Sequence, residues 1–194
     1  GPGGSVILAY GHPESTPDGT DGYFGQLLKS VKGLDRILHV DCPLRRARHL
    51  SSNPQTGCLY AWGSLAALAP CIFAVWKPGS RHLNASLGWL IRRAAISEAS
   101  TAQGAAICWQ LHCQDRWFRA RRPLLVAWPW QNHSWEREFV RRARGAGVRT
   151  VGYQHSVVGR QMLNYSPASN KDGLESIPDL ILCTGEPTRD QLIA

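Results

Sequence analysis

The chain has 194 residues, 12 prolines, six cysteines and a formal net charge of +8. That length supports one well-buried domain and excludes two of ordinary size. Arginine dominates the charge, yet no RNA-binding signature, helix-turn-helix pattern or zinc-finger spacing accompanies it, so nucleic acid is not the expected partner.

A solvated basic face is one explanation of the charge; attraction of anionic partners, among them the lipids of the inner membrane face and sugar nucleotides, is the other. The cysteines Cys42, Cys58, Cys71, Cys108, Cys113 and Cys183 form no CxxC pair and no metal spacing. They read as reduced thiols in a cytoplasmic protein that holds no metal.

In chain order, residues 1–5 (GPGGS) read as a cleavage and linker remnant. Residues 6–10 (VILAY) form an uninterrupted apolar run, hence a buried first strand. Turn formers and polar groups fill 11–22, and the spacing of Phe24, Leu27, Leu28 and Val31 predicts a helix over 23–32. Residues 36–41 (RILHVD) read as the second strand, and 42–55 as a basic loop or short helix. The uncharged run 58–76 is long enough to consider a bilayer span, but Gly63, Ser64 and Pro70 interrupt it. A helical hairpin, buried or lying along a membrane face, is the expectation there. Residues 86–119 predict one long helix or two consecutive ones, with Leu87, Leu90, Ile91, Ala94 and Ala95 on the apolar side. Residues 157–176 read as irregular, 179–183 (DLILC) as a last strand, and the end of the chain as the start of a further helix.

The stretch 124–156 organises the chain. An apolar run at 124–128 (LLVAW) is followed by an amphipathic helix and a second apolar run ending in Gln154, His155 and Ser156. Asn132 or Ser134 can cap the helix, Glu136 and Glu138 suit its positive end, and Arg141, Arg142 and Arg144 suit its negative end. Gly145 and Gly147 stop it. This is a βαβ unit, with parallel strands and a right-handed crossover. The expected fold is therefore α/β, a Rossmann-like, mainly parallel sheet with helices on both faces.

In such a sheet, ligands bind beyond the carboxyl ends of the strands. Three loops converge there. The first brings His12, Glu14, Asp18 and Asp21, the second Gln131 and His133, and the third Gln154, His155 and Ser156. Asp21, Glu136 and His155 are the catalytic candidates, as acid, base or nucleophile; the remaining seven are candidates for substrate binding. Trp128, Trp130 and Tyr153 can supply aromatic platforms. Structural duties compete with these roles: Asp21 can simply cap a helix, Glu136 can complement a helix dipole, and His12 can brace its loop.

The blocks DGYFG (21–25), WPWQNHSWERE (128–138), GVRTVGYQHS (147–156), MLNY (162–165) and IPDLILCTGEPTRDQL (177–192) resemble bacterial surface-carbohydrate biosynthesis proteins. These include GT-B glycosyltransferases of O-antigen, lipopolysaccharide and capsule assembly, among them those that use CMP-activated Kdo and related ulosonic acids. The resemblance implies a two-domain enzyme, of which residues 6–178 form the acceptor-side Rossmann-like half. Residues 179–194 then lead toward a C-terminal nucleotide-binding domain. It implies no cofactor, a CMP-sugar or other nucleotide-sugar donor as substrate, and a glycan or glycolipid acceptor; the cysteines point to a cytoplasmic location, and the basic charge to peripheral contact with the anionic inner face of the membrane. An acidic residue is common in such sequences where this chain has Gln131, so a carboxylate role does not carry over to that position. Two other classes stay open on the residues alone: a nucleotide-binding Rossmann domain of another enzyme, weakened by the missing GxGxxG, and a non-catalytic flavodoxin-like interaction module.

Overall fold

The computed structural model describes residues 3–73, 86–99, 102–159, 161–166 and 173–193. Its six strands are β1 (Ser5–Ala9), β2 (Leu34–Leu38), β3 (Thr56–Cys58), β4 (Leu125–Pro129), β5 (Arg149–Gln154) and β6 (Leu180–Cys183). All pair in parallel, in the order β3-β2-β1-β4-β5-β6. The helices are α1 (Leu27–Ser30), α2 (Leu44–Leu50), α3 (Leu65–Ile72), α4 (Gly88–Ala99), α5 (Ala102–Arg121), α6 (Ser134–Gly145) and α7 (Glu186–Ile193). This strand order is that of a doubly wound, Rossmann-like α/β fold, and its direction reverses between β1 and β4.

The apolar strand β1 is buried because both its sides are covered. Val6 and Leu8 join Ile37, Val126 and Trp128 in the main core, against Cys113, Trp117 and Phe118 of α5 and Phe139, Val140 and Ala143 of α6. On the alternating positions, Ile7 packs with Leu28 of α1, and Ala9 packs with Ala47 and Leu50 of α2. Burial of the Val, Leu, Ile and Phe side chains among these stabilises the sheet by roughly 1.5–3 kcal/mol each. Trp135, Phe139, Val140 and Ala143 form the apolar stripe of the expected amphipathic helix α6; the last three are buried and Trp135 is half-buried, and Gly147, at φ 72°, turns the chain after it into β5.

Several expectations change. Gly4 and Ser5, read as lying outside the fold, extend it: Ser5 opens β1, and the Gly4 carbonyl accepts from Leu124 N at 3.0 Å. Strand β2 begins at Leu34 and ends at Leu38, earlier than 36–41, because Gly33 makes the turn at φ 78°. The helix predicted over 23–32 shrinks to the single turn α1, since residues 22–24 form a turn closed by the antiparallel bridge between Asp21 and Gly25, and Gly25 takes φ 57°. Strand β3, short and polar, escapes the apolar pattern altogether.

Residues 58–73 form a 3₁₀ turn (Leu59–Trp62) and α3 rather than two antiparallel helices, and 74–76 lie outside the described residues. Among the described residues no helix is long and apolar enough to cross a membrane. The predicted helical stretch 86–119 is two helices, α4 and α5, the second running on to Arg121. The irregular stretch contains two 3₁₀ turns, Leu163–Tyr165 and Leu174–Ser176, with 160 and 167–172 outside the described residues. At the far edge, Asp179 fixes β6 to β5: its carboxylate accepts from Thr150 N, Thr150 Oγ1 and Arg144 Nη2, each at 2.8 Å. All six cysteines are free thiols, and burial lifts those of Cys42 and Cys113 to about 11.

Candidate functional site

At the reversal between β1 and β4 the flanking connections leave in opposite directions, which opens a crevice at the carboxyl ends of the strands. A hollow of about 230 Å³ lies there, lined by Tyr10, Tyr23, Asp41, Pro129, Gln131, His133, Trp135 and His155. These residues come from the ends of β1, β2, β4 and β5, from the loop 10–26 and, for Trp135, from the first turn of α6. No lysine or arginine is among them.

The loop 10–26 is pinned from beneath by Arg36. This β2 side chain is fully buried, and its guanidinium donates to Thr56 Oγ1 (3.1 Å), to the Thr20 carbonyl (3.0 Å) and to the Thr16 carbonyl (3.1 Å). Asp21 lies 3.6 Å away as its counter-charge and is itself buried. Burial pushes the Arg36 guanidinium down from its usual value, and Asp21 opposes that shift. Asp21 is therefore not the cap of a long helix. Its Oδ1 accepts from the amides of Tyr23 (3.0 Å) and Phe24 (3.4 Å), and Ser15 Oγ donates to its Oδ2 at 3.2 Å. The turn that results presents Tyr23 to the crevice.

The other three candidates on this loop stand outside the lining. His12 packs its ring edge-on against Tyr23, with centroids 5.4 Å apart, and its Nδ1 accepts from Glu14 N. Glu14 is exposed. Asp18 is paired at 2.7 Å with Lys29, whose hydrogen bond holds its carboxyl below the usual range.

The second loop is organised around Glu136. This side chain has 0% exposure, and its two oxygens accept from Trp128 Nε1 (3.0 Å), from Gln131 N (3.1 and 3.2 Å) and from His133 N (2.5 Å). A glutamate at the third helical position that reaches back to the cap amide is half of a capping box, so His133, rather than Asn132 or Ser134, caps α6. Burial lifts the Glu136 carboxyl from 4.5 to about 7, and its three donors oppose that shift. Asn132 takes φ 55° and donates through Nδ2 to the Asn164 carbonyl at 2.6 Å; Asn164 Nδ2 donates back to the Gln131 carbonyl. The two expected platforms Trp128 and Trp130 are in the core, at 0% and 2% exposure, and only Tyr153 stays half-buried near His155.

What faces the crevice is a relay of side chains. His133 Nε2 lies 2.9 Å from Gln131 Oε1, and Gln131 Nε2 lies 3.5 Å from His155 Nε2. With the amide in that orientation, Gln131 accepts from His133 and turns its donor toward the His155 lone pair. The His155 ring stands edge-on to Tyr23 at 4.8 Å. Gln154 points the other way: fully buried, it donates to Tyr165 Oη at 2.8 Å and accepts from Ser156 N at 2.8 Å, so both residues are spent on shaping the loop. Of the ten candidates, the structure thus brings Gln131, His133 and His155 together and sets Asp21, Glu136 and Gln154 beneath them.

Sequence reasoning missed Tyr10, Tyr23, Asp41 and Trp135. Asp41 is the crevice's carboxylate and is exposed. Beside it, His39 is fully buried against Trp135 and Tyr10, at centroid distances of 4.5 and 5.1 Å. The His39 Nδ1 lies 3.2 Å from both the amide nitrogen and Oδ2 of Asp41, so the ring accepts from the amide or donates to the carboxylate according to its proton. That contact holds the Asp41 carboxyl below its usual value, against burial. The phenol of Tyr10 is raised well above its ordinary value, first by burial and then by Glu136, Asp41 and Tyr23. It therefore stays a hydrogen-bond donor at neutral pH. The signal for these residues was present in part: Tyr10 ends the first apolar run and Asp41 follows the second strand, both at carboxyl ends.

Among the described residues no three His, Cys, Asp or Glu side chains converge as a metal site. Comparison with protein-family models, with curated proteins and with solved structures gives no match to this chain.

Proposed function

We propose that the crevice binds a sugar hydroxyl acceptor, and that the chain is the acceptor-side half of a glycosyltransferase acting on a bacterial surface glycan with a nucleotide-sugar donor, of the CMP-Kdo kind that the sequence resemblance implies. One observation carries this reading: the lining combines aromatic faces (Tyr10, Tyr23, Trp135) with hydrogen-bonding groups (Asp41, Gln131, His133, His155) and contains no cation. Aromatic faces suit the apolar side of a pyranose, and paired donors and acceptors suit its hydroxyls. A nucleotide's phosphates ask for the opposite. Helix α1 is one turn long behind the loop 10–26, and the buried Glu136 sits at the N-terminus of α6, where a phosphate would otherwise be drawn. The volume falls below the roughly 300–1,000 Å³ of a self-contained ligand pocket, as half of an interdomain cleft would.

In this reading the attacking hydroxyl replaces the Gln131 amide at the His155 Nε2 lone pair, which takes its proton as the oxygen bonds to the anomeric carbon and the nucleotide leaves. Gln131 holds that lone pair toward the crevice until the acceptor arrives, and Asp41, braced by His39, accepts from a neighbouring hydroxyl. Asp21 and Glu136 act as positioning residues under the two loops. Calorimetric titration of the chain with a Kdo-containing oligosaccharide, CMP, a UDP-sugar and NAD tests the binding half. Saccharide binding weakened by Asp41→Asn supports the proposal; tight CMP or NAD binding without saccharide binding favours a nucleotide-binding domain instead. With the nucleotide-binding half joined, His155→Ala is expected to reduce transfer about a hundredfold at unchanged melting temperature.

A further inference from the structure

Three aromatic rings wall the crevice. Tyr10 stands in the middle, with Tyr23 and Trp135 each edge-on to it at centroid distances of 6.3 and 6.2 Å and interplanar angles of 74° and 78°. All three are half-buried, so each keeps part of its surface open. At the rim sits one exposed carboxylate, Asp41, which the hydrogen bond from His39 holds below its usual titration, so that it carries its charge at neutral pH. The chain has 22 lysines and arginines, yet none is among the described residues that line this hollow. Arg36 and Arg46, which serve the loop 10–26, spend their guanidiniums on its carbonyl groups.

We infer that the crevice recognises an organic ammonium group, and that the acceptor sugar carries an amine left unacylated; the sugar half of this inference rests on the glycosyltransferase reading of the crevice. A cation is attracted to the negative faces of aromatic rings, and several rings around one space, with a carboxylate at its rim, are the arrangement that holds an ammonium. The bond from such a group to Asp41 is charge-assisted, hence roughly twice as strong as one between neutral partners. Burial first, and then the charges of Glu136 and Asp41, oppose deprotonation of the Tyr10 phenol. The same two charges that disfavour a phenolate there favour a cation. Acylation of the amine removes its charge and adds bulk, and a hydroxyl in its place brings no charge at all. A metal ion suits these walls poorly, since it asks for several oxygen ligands. Among the described residues the hollow offers one carboxylate, and no three His, Cys, Asp or Glu side chains converge.

Calorimetric titration of the chain at neutral pH tests it with the disaccharide of glucosamine, the same disaccharide N-acetylated, cellobiose, which carries hydroxyls at those positions, and choline. The glucosamine disaccharide is expected to bind at least about tenfold more tightly than either neutral disaccharide. Asp41→Asn, at an exposed position, should abolish that preference. Tyr23→Leu should weaken binding of the amine-bearing sugar more than that of cellobiose, and melting temperatures show whether both variants keep their fold. Equal affinity for the three disaccharides overturns the inference and leaves the sugar site standing. Choline bound in a way that Asp41→Asn abolishes, with no saccharide bound, supports the ammonium site and overturns the sugar reading instead. If folded protein binds neither choline nor the glucosamine disaccharide, or if Asp41→Asn keeps the preference, the ammonium site is overturned.

Discussion

The two loops that frame the crevice are each carried by a buried carboxylate, and the two are compensated in opposite ways. Beneath the loop 10–26, Asp21 meets the guanidinium of Arg36, itself held by Thr56 and two carbonyls. Beneath the β4–α6 loop, Glu136 meets only neutral donors, an indole N–H and two backbone amides. Charge pairing fixes the first loop. In the second, hydrogen bonds alone oppose the desolvation of the carboxylate, and its titration moves up to about 7. Two loops with the same mechanical task can thus respond differently to mutation and to pH.

Breaking the charge pair should have the largest effect. Arg36→Met leaves the Asp21 carboxylate buried without its cation, which is expected to destabilise the protein by about 3–5 kcal/mol in urea denaturation. Replacing both partners, as Arg36→Met with Asp21→Leu, should recover much of that loss, because no charge then remains buried. A single variant that loses less than about 1 kcal/mol would show that the loop is held elsewhere.

The neutral cradle is sharpened by pH. The folded-state carboxyl of Glu136 lies above its ordinary value of 4.5. The folded protein therefore holds the proton more tightly than the unfolded chain. The stability linked to that proton is fully present below pH 4.5 and is lost as pH rises through about 7. The shift corresponds to roughly 3 kcal/mol over that window. In Glu136→Gln this component should vanish, so the difference in melting temperature between the two proteins, followed from pH 4.5 to 8, isolates it from the histidines. Parallel curves would mean that the carboxyl keeps its ordinary titration.

Smaller effects probe how tightly the first loop is drawn in. Gly11 leaves β1 at φ 70°, and a Cβ there would run into the sulfur of Cys42. Gly11→Ala should therefore destabilise by about 1–3 kcal/mol, read as a fall in melting temperature. Thr56→Val removes one of the acceptors of Arg36 while keeping the side-chain shape, and should cost about 1 kcal/mol. If it matches Arg36→Met, the hydroxyl rather than Asp21 is the main partner of the guanidinium.

Much of the scaffold was legible in the sequence, since burial on both sides of a parallel sheet demands uninterrupted apolar runs. The runs at 6–10, 124–128 and 179–183 locate β1, β4 and β6 to within a residue or two, and the stripe and glycines of α6 give its limits. The polar strand Thr56–Cys58 carried no such signal, because its place in the sheet is secured by backbone pairing with β2 and by the contact of Thr56 with Arg36. Loop position at the carboxyl edge also singled out Gln131, His133 and His155, which line the hollow, but not its aromatic faces or its carboxylate Asp41. Which carboxylates would face it was decided only in three dimensions. Asp21 and Glu136 turned inward because the amides and the guanidinium of the folded chain gather around them, whereas Asp41, beyond the second strand, met only His39 and remained outside. Sequence alone determined the hydrophobic periods and therefore the layers. The tertiary structure decided which polar groups were used up inside, since a buried carboxylate needs partners that distant segments supply.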